Sequence, residues 1–282
     1  MNQPPNAPWR PSSFLQLSAA THLSAGVGAI LAPQYWPWWL GAVLADHAVA
    51  AVAGLLPRTS LLGANLTRLP VVSASRGEVS LTFDDGPDPE VTPRVLDLLE
   101  AAGHRASFFC IAERVRQHPE LAREIIRRGH LIENHTDTHP HLFATYGPRG
   151  MARQIDDAQQ TLQDVTGRAP LFFRAVAGLR NPFLDPILTR RGLRLASWTR
   201  RAYDTRTGDG DTVLKRLVKR LAPGDILLMH DGHAARGRTG CPVVLEALPP
   251  LLQALGQQGL RSVTLQAACM PEGARHLQGA LT

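Results

Sequence analysis

Cysteine is scarce in this sequence, at positions 110, 241 and 269 only. The number is odd and no Cys-x-x-Cys spacing occurs, which excludes a disulfide framework and a cysteine-built metal site. Cys110 sits in the apolar run Phe108-Phe109-Cys110-Ile111 and is expected to be a buried core thiol. Lysine is nearly missing as well: almost every basic residue is arginine. No internal repeat or low-complexity tract occurs. No nucleic-acid motif or interleaved aromatic stripe accompanies the net charge of +6, so a nucleic-acid partner is not expected. The densest arginine groups, Arg123, Arg127 and Arg128 and then Arg190, Arg191 and Arg194, lie beside glycine. They read as solvated helix ends. Hydrophobic residues make up 44% and charged residues 19% of the 282 positions, an ordinary balance for a packed globular chain and not a disordered one.

One absence is local. Between Phe14 and Leu56 there is no lysine or arginine and one acid, Asp46. Two apolar stretches, Phe14 to Ala32 and Tyr35 to Leu56, are separated by Pro33 and Gln34. Each is close to the roughly 20 residues that cross a bilayer core as helix. Trp36, Trp38 and Trp39 suit the half-wet interface of a membrane. Against this stand Gln16, Ser18, Thr21 and His22 in the first stretch and Asp46 with His47 in the second. An intramembrane aspartate costs about 2.5–3.5 kcal/mol on insertion scales. A membrane hairpin is the leading expectation, with a single span and a soluble helical cap as alternatives. A cleaved signal peptide fits poorly, because the basic start is the single Arg10 and the apolar region is too long.

After a linker from Leu56 to Arg76 the pattern changes to short β-like and longer α-like segments. Strands are expected at Glu78 to Phe83, Ala106 to Ile111, His130 to Asn134, Leu171 to Phe173, Leu193 to Trp198, Asp225 to His230 and Ser262 to Leu265. Helices are expected at Thr92 to Ala102 (Thr92 as N-cap), Pro119 to Arg128, Arg149 to Val165, Leu184 to Arg190, Thr212 to Leu221 and Val243 to Gln257. Such alternation implies an α/β domain with a mainly parallel sheet, either a closed barrel or an open one.

Chemistry-bearing residues gather where strands end, the edge on which parallel α/β folds build sites. Asp84 and Asp85 follow Phe83, His135 follows Asn134, Arg174 follows Phe173, Asp204 comes soon after Trp198, and His230 closes an apolar strand. His135 and His139 are four apart, and one helical turn would put both imidazoles on one face, able to grip a metal. Asp85 is the best third ligand. Two histidines and one carboxylate leave positions open for water and substrate. Asp84-Asp85-Gly86 is also good turn chemistry. Adjacent carboxylates point apart, however, so that one can hold a metal while the other moves a proton.

These residues also carry a resemblance. Thr82-Phe83-Asp84-Asp85-Gly86-Pro87, His135-Thr136-Asp137-Thr138-His139 and Leu228-Met229-His230-Asp231 are similar, in order and spacing, to three motifs of the polysaccharide deacetylases, the NodB-type carbohydrate esterases. The likeness covers about residues 77 to 266. It implies a distorted (β/α) barrel preceded here by the hydrophobic helical segment, and a divalent metal, usually zinc. It implies that Asp84 is the catalytic base and that Asp85, His135 and His139 are the metal ligands. It further implies that His230 is the general acid, that Arg174 orients the base and that Leu228 lines the acetyl pocket. Two motifs depart from the family. Arg174-Ala175-Val176-Ala177-Gly178 lacks the usual proline and tyrosine, leaving the Ala177 N–H as oxyanion donor. Asp204, the expected partner of His230, is followed by Thr205 rather than tryptophan. Tyr203 and Trp198 are the candidates for substrate contact. His141 is expected to be a loop histidine, and Asp231 and His233 rim residues.

The expected organisation is a hydrophobic N-terminal region and linker over 1–72, a catalytic domain over 73–270 and a tail over 271–282. The expected activity is removal of an N-acetyl or related N-acyl group from an amino sugar in a glycan. The alternatives are deformylation or deacylation of a lipid-linked sugar, and non-catalytic carbohydrate binding on a degenerate scaffold. Arg10 on one flank and Arg58, Arg68 and Arg76 on the other favour a catalytic domain on the cytoplasmic face.

Overall fold

The computed structural model describes residues 8–270; the tail expected over 271–282 lies outside them, as do residues 1–7. Two long helices open the structure, α1 (Ser13–Leu31) and α2 (Trp36–Leu55). The Ser12 side chain caps α1 by accepting from Leu15 N–H, and a tight turn at Pro33–Tyr35 reverses the chain. Gly28 permits the close pairing, because a Cβ there would lie 2.4 Å from the Trp39 ring. The outward residues of this hairpin are apolar: Leu23, Ile30 and Leu31 on α1 and Trp36, Trp38 and Leu55 on α2 are all exposed.

Both ends of the hairpin return to the rest of the protein. Trp9 Nε1 donates to Asp185 Oδ2 at 2.8 Å, and Arg180 N–H donates to Gly54 C=O at 3.1 Å. Residues 57–69 are then laid onto the globular part. Leu62 and Leu69 are buried, and Leu66 bridges to Ala196. The expected linker is therefore packed along its length, ending in the short helix α3 (Val71–Ser75).

The globular part alternates as expected. Its elements are β1 (Glu78–Asp84), α4 (Thr92–Ala101), β2 (Ala106–Cys110), α5 (Ala112–Gln117), α6 (Pro119–Arg127), β3 (Leu131–Asn134) and α7 (Pro148–Thr166). There follow β4 (Phe172–Phe173), α8 (Leu184–Arg190), β5 (Arg194–Leu195), β6 (Arg200–Arg201) and α9 (Gly210–Val218). The chain closes with β7 (Ile226–His230), α10 (Val243–Gln257), β8 (Arg261–Ser262) and α11 (Leu265–Cys269). The strands run parallel in the order β5-β4-β3-β2-β1-β7-β6, with β8 against the start of β1. The residues of β1, β2, β3 and β7 are buried, as a sheet covered on both faces requires. Phe83 and Phe108 stack across β1 and β2 with ring centroids 5.1 Å apart, inside a core completed by α4, α9 and α10.

The sheet curls until one segment touches both of its edges. Ala196 N–H donates to Phe173 C=O on one side, and Thr199 N–H to Ile226 C=O on the other. This is the distorted barrel expected from the sequence. It also corrects the strand expected over Leu193 to Trp198: only Arg194–Leu195 of it is strand, pairing with β4, and β6 follows beyond it at Arg200–Arg201 against β7, because the chain changes partners in between. Three local expectations fail. Thr92 is not an N-cap; its hydroxyl accepts from Asp88 N–H and donates to Asp231 Oδ2. Residues 262–265 are strand only at their start, since Thr264 caps α11. His135 and His139 lie on a loop and not on one helical turn. The arginine groups do form solvated helix ends, paired with Glu120, Glu124 and Asp156.

Candidate active site

Every strand-end residue singled out in the sequence reaches one cavity of about 620 Å³ or supports its wall. β1 delivers Asp84 and Asp85. The loop after β3 delivers His135 and His139, the loop after β4 Arg174 and Ala177, and β7 delivers Leu228 and His230. Backbone geometry is unusual here. Asp85, Thr136, His139, Ala177, Tyr203 and His233 all have positive φ without being glycine. Such conformations cost of order 1–3 kcal/mol each and gather at functional sites.

The two histidines converge through the loop's own hydrogen bonds. Asn134 Oδ1 accepts from Thr136 N–H, and Thr136 Oγ1 accepts from His139 N–H. Ala112 and Glu113 N–H, at the start of α5, hold the loop carbonyls of Thr136 and Asp137. As a result His135 Nε2 and His139 Nε2 each stand 3.2 Å from Asp85 Oδ1. Ligands about 2.0–2.1 Å from one ion are spaced by roughly 3.0–3.4 Å, so the three side chains fit a divalent metal. His135 Nδ1 is bonded to Arg174 C=O at 2.8 Å, which fixes the tautomer that turns a bare Nε2 into the site. Burial pushes the Asp85 carboxyl up, but its bonds to His135 and His233 more than offset this and hold it well below the usual range. Burial and the neighbouring His135 push His139 down to about 4. Both residues thus favour the deprotonated forms that ligate metal.

Asp84 is held separately. Arg174 Nη1 donates to Asp84 Oδ1 at 2.6 Å and to Thr82 Oγ1 at 2.9 Å. The other guanidinium nitrogens bond the Ala196 and Ser197 carbonyls, and the plane stacks 3.9 Å from the Phe109 centroid. A fully buried arginine is tolerated because its donors are paired. Opposite, His230 Nδ1 lies 2.7 Å from Asp204 Oδ1, and His230 N–H donates to Asp204 Oδ2. Burial lowers the His230 pKa, but the Asp204 carboxylate more than offsets this and raises it to about 9. Cavity and pairs together provide a proton acceptor, a proton donor and a place for a cation around one reaction volume.

Some expectations shift in detail. Trp198 and Leu228 line the cavity, whereas Tyr203 lies in an adjoining cleft. His141 lies at the cavity edge, its ring 5.8 Å from that of His139. Asp231 is no rim residue. It is fully buried behind Gly86, where burial raises its carboxyl to about 7. His233 is closer to the chemistry than expected, with Nδ1 3.4 Å from Asp85 Oδ2 and Nε2 2.8 Å from Arg114. Arg114 itself was missed, because α5 is a single short helix with no periodic signal. Glu133 was also missed. Its carboxylate accepts the Leu171 and Phe172 N–H groups and so sets β4, which carries Arg174. Cys110 is buried, and burial raises its thiol well above the ordinary value.

Residues 72–196 match the family model for polysaccharide deacetylases. The chain is 34% identical over 190 residues to a peptidoglycan-N-acetylglucosamine deacetylase of Bacillus cereus, covering 66% of this chain and 85% of the relative. It is 32% identical over 195 residues to a chitooligosaccharide deacetylase of Azorhizobium caulinodans, covering 66% and 92%. Among solved structures, the Bc1960 peptidoglycan N-acetylglucosamine deacetylase superimposes with a TM-score of 0.65 at 28% identity. That match covers 72% of this chain and 92% of the other.

Proposed function

This chain belongs to the polysaccharide deacetylases, hydrolases of the amide bond in N-acetylated glycans, and on that premise we propose that it deacetylates N-acetylglucosamine residues of a glycan with the aid of a divalent metal, zinc before others. One observation carries the proposal: Asp85, His135 and His139 converge beside the Asp84–Arg174 and His230–Asp204 pairs in one cavity. A metal held by Asp85, His135 and His139 would polarise the amide carbonyl and make a nearby water more acidic. Asp84, oriented by Arg174, accepts the proton of the water that attacks the carbonyl carbon. The Ala177 N–H donates to the carbonyl oxygen as it becomes negative. His230, kept protonated by Asp204, passes its proton to the sugar nitrogen as the C–N bond breaks. Leu228 bounds the space for the methyl group. The products are acetate and an amino sugar. Incubating the purified full chain with chitooligosaccharide and with peptidoglycan, and assaying acetate and new amine, tests this. No amine on either, in zinc-loaded protein, rejects it.

Membrane placement belongs to the same proposal. Only 6% and 11% of the two apolar windows is buried, so the hairpin is not a core element and would leave its apolar surface in water. Each helix is about 30 Å long at 1.5 Å per residue, the thickness of a bilayer core. The division proposed is the membrane region and linker over 1–72, with 57–72 as the joint, and the catalytic domain over 73–270. Both hairpin ends return to that domain, which supports a domain on the same side as the N-terminus. The arginine bias makes that side cytoplasmic.

A further inference from the structure

A second cleft, of about 550 Å³, lies between the foot of α2 and the catalytic cavity, and shares Trp198 and Arg201 with that cavity. One wall is the stretch that follows α2, with Pro57 and Arg58; the other carries Trp198, Arg201 and Tyr203. The foot is fastened into the site. Ser197 Oγ donates to Pro57 C=O at 2.7 Å, and a Cβ on Gly178 would lie 2.6 Å from Pro57 and 2.7 Å from Trp198.

The cleft is cationic without counter-charge. Elsewhere on the domain arginines find carboxylates: Arg68 and Arg200 share Asp225, and Arg236 pairs with Glu90. Among the described residues Arg58 and Arg201 have no such ion pair. Arg58 Nη1 donates to Thr199 C=O at 3.2 Å, which holds its guanidinium across the cleft. The Arg201 guanidinium is stacked 5.2 Å from the Trp198 centroid and 5.0 Å from that of Tyr203, and its buried Nε has no hydrogen-bond partner. A buried, unspent guanidinium donor is uncommon and matches a phosphate oxygen in charge and geometry. The apolar face of α2 runs to the lip of this cleft, through exposed Val49, Val52, Leu55 and Leu56.

We propose that the substrate is an N-acetyl amino sugar joined through phosphate to a membrane lipid, with the phosphate held between Arg58 and Arg201. The lipid stays along α2 in the bilayer, the phosphate crosses the cleft, and the sugar passes Trp198 into the catalytic cavity. This rests on the deacetylase reading and on the hairpin lying in a membrane.

The test uses the full chain in phosphatidylcholine vesicles and three substrates: a polyprenyl-diphosphate-linked N-acetylglucosamine, soluble N-acetylglucosamine 1-phosphate, and chitooligosaccharide. The lipid-linked sugar is expected to show the highest kcat/KM. Arg58→Gln should raise KM for it about 10-fold or more, with kcat changed far less, and Arg58→Lys should recover part of the loss. Arg201→Gln should act in the same direction. Equal efficiency on the soluble sugar phosphate would keep the phosphate site but overturn the lipid. Turnover of chitooligosaccharide without preference for the lipid-linked sugar, or an unchanged KM in Arg58→Gln, overturns the proposal and leaves the deacetylase reading standing. Acetate from none of the three rejects both.

Discussion

At the scale of single residues, the site was legible wherever a side chain and its chain position suffice. Asp84, Asp85, His135, Arg174, Asp204 and His230 follow strands, and strand ends can be read from apolar runs. What could not be read was how His135 and His139 meet. Spacing suggested a helical turn, whereas positive φ at Thr136 and His139 folds a loop instead. Arg114 escaped because its helix is too short to carry a periodic signal, and His233 read only as a rim residue because nothing local marks a loop residue that folds back over the site. Two predictions belong at this scale. Asp85→Ala, His135→Ala and His139→Ala should each lose bound metal and turnover together, while Asp84→Asn should keep metal and lose turnover. Elemental analysis beside acetate release separates the two classes; stoichiometric metal in all three ligand variants would sink the ligand set. The second concerns His230. Its folded pKa of about 9 lies above the usual value near 6.5. Its proton therefore stabilises the fold fully below about pH 6.5, and this contribution is lost as pH rises toward 9. The protonated form that the proposed mechanism requires is lost over the same rise, and a nearby dication would shift the loss lower. Asp204→Asn should move the alkaline limb of kcat to lower pH, and His230→Ala should cost about 10²–10⁴-fold in rate. A limb that stays in place in Asp204→Asn would contradict the pairing.

At the scale of elements, helices with a clear apolar stripe were placed to within three residues, and short pieces were not. α7 buries Met151, Ile155, Ala158 and Leu162, a 3.6-residue period visible in the sequence. β5 and β6 have two residues each, too few for any period, and their separate existence depends on which sheet edge each touches. The same holds for residues 57–69, which read as a linker because their contacts lie far away in sequence, at Arg180, Ala196 and Ser197. That joint makes a prediction. Gly178 has φ +77 and no room for a Cβ against Pro57 and Trp198. Gly178→Ala should cost about 1–3 kcal/mol from backbone strain and crowding. Thermal unfolding should shift down, with turnover falling and metal content kept. A variant with unchanged Tm and rate would show that the joint is not tightly built.

At the scale of the whole molecule, composition revealed two regions and the structure shows how they are joined. Among the described residues the hairpin is bonded to the catalytic domain at its foot, through Trp9 to Asp185 and Gly54 to Arg180, so a membrane around the hairpin would bring the cavity mouth close to the lipid surface. A reporter active only outside the cytoplasm, fused after Thr282, should stay silent in membrane-bound protein; strong signal would put the domain on the opposite face. The account as a whole turns on metal-dependent deacetylation by this cavity. The most direct test is acetate release from an N-acetylglucosamine glycan by the full chain, measured alongside bound metal through removal with a chelator and back-titration with zinc. The account predicts that activity disappears on removal and returns in proportion to metal, reaching its plateau at one ion per chain in the wild type and never returning in His135→Ala. Undiminished acetate release from metal-free protein would contradict it.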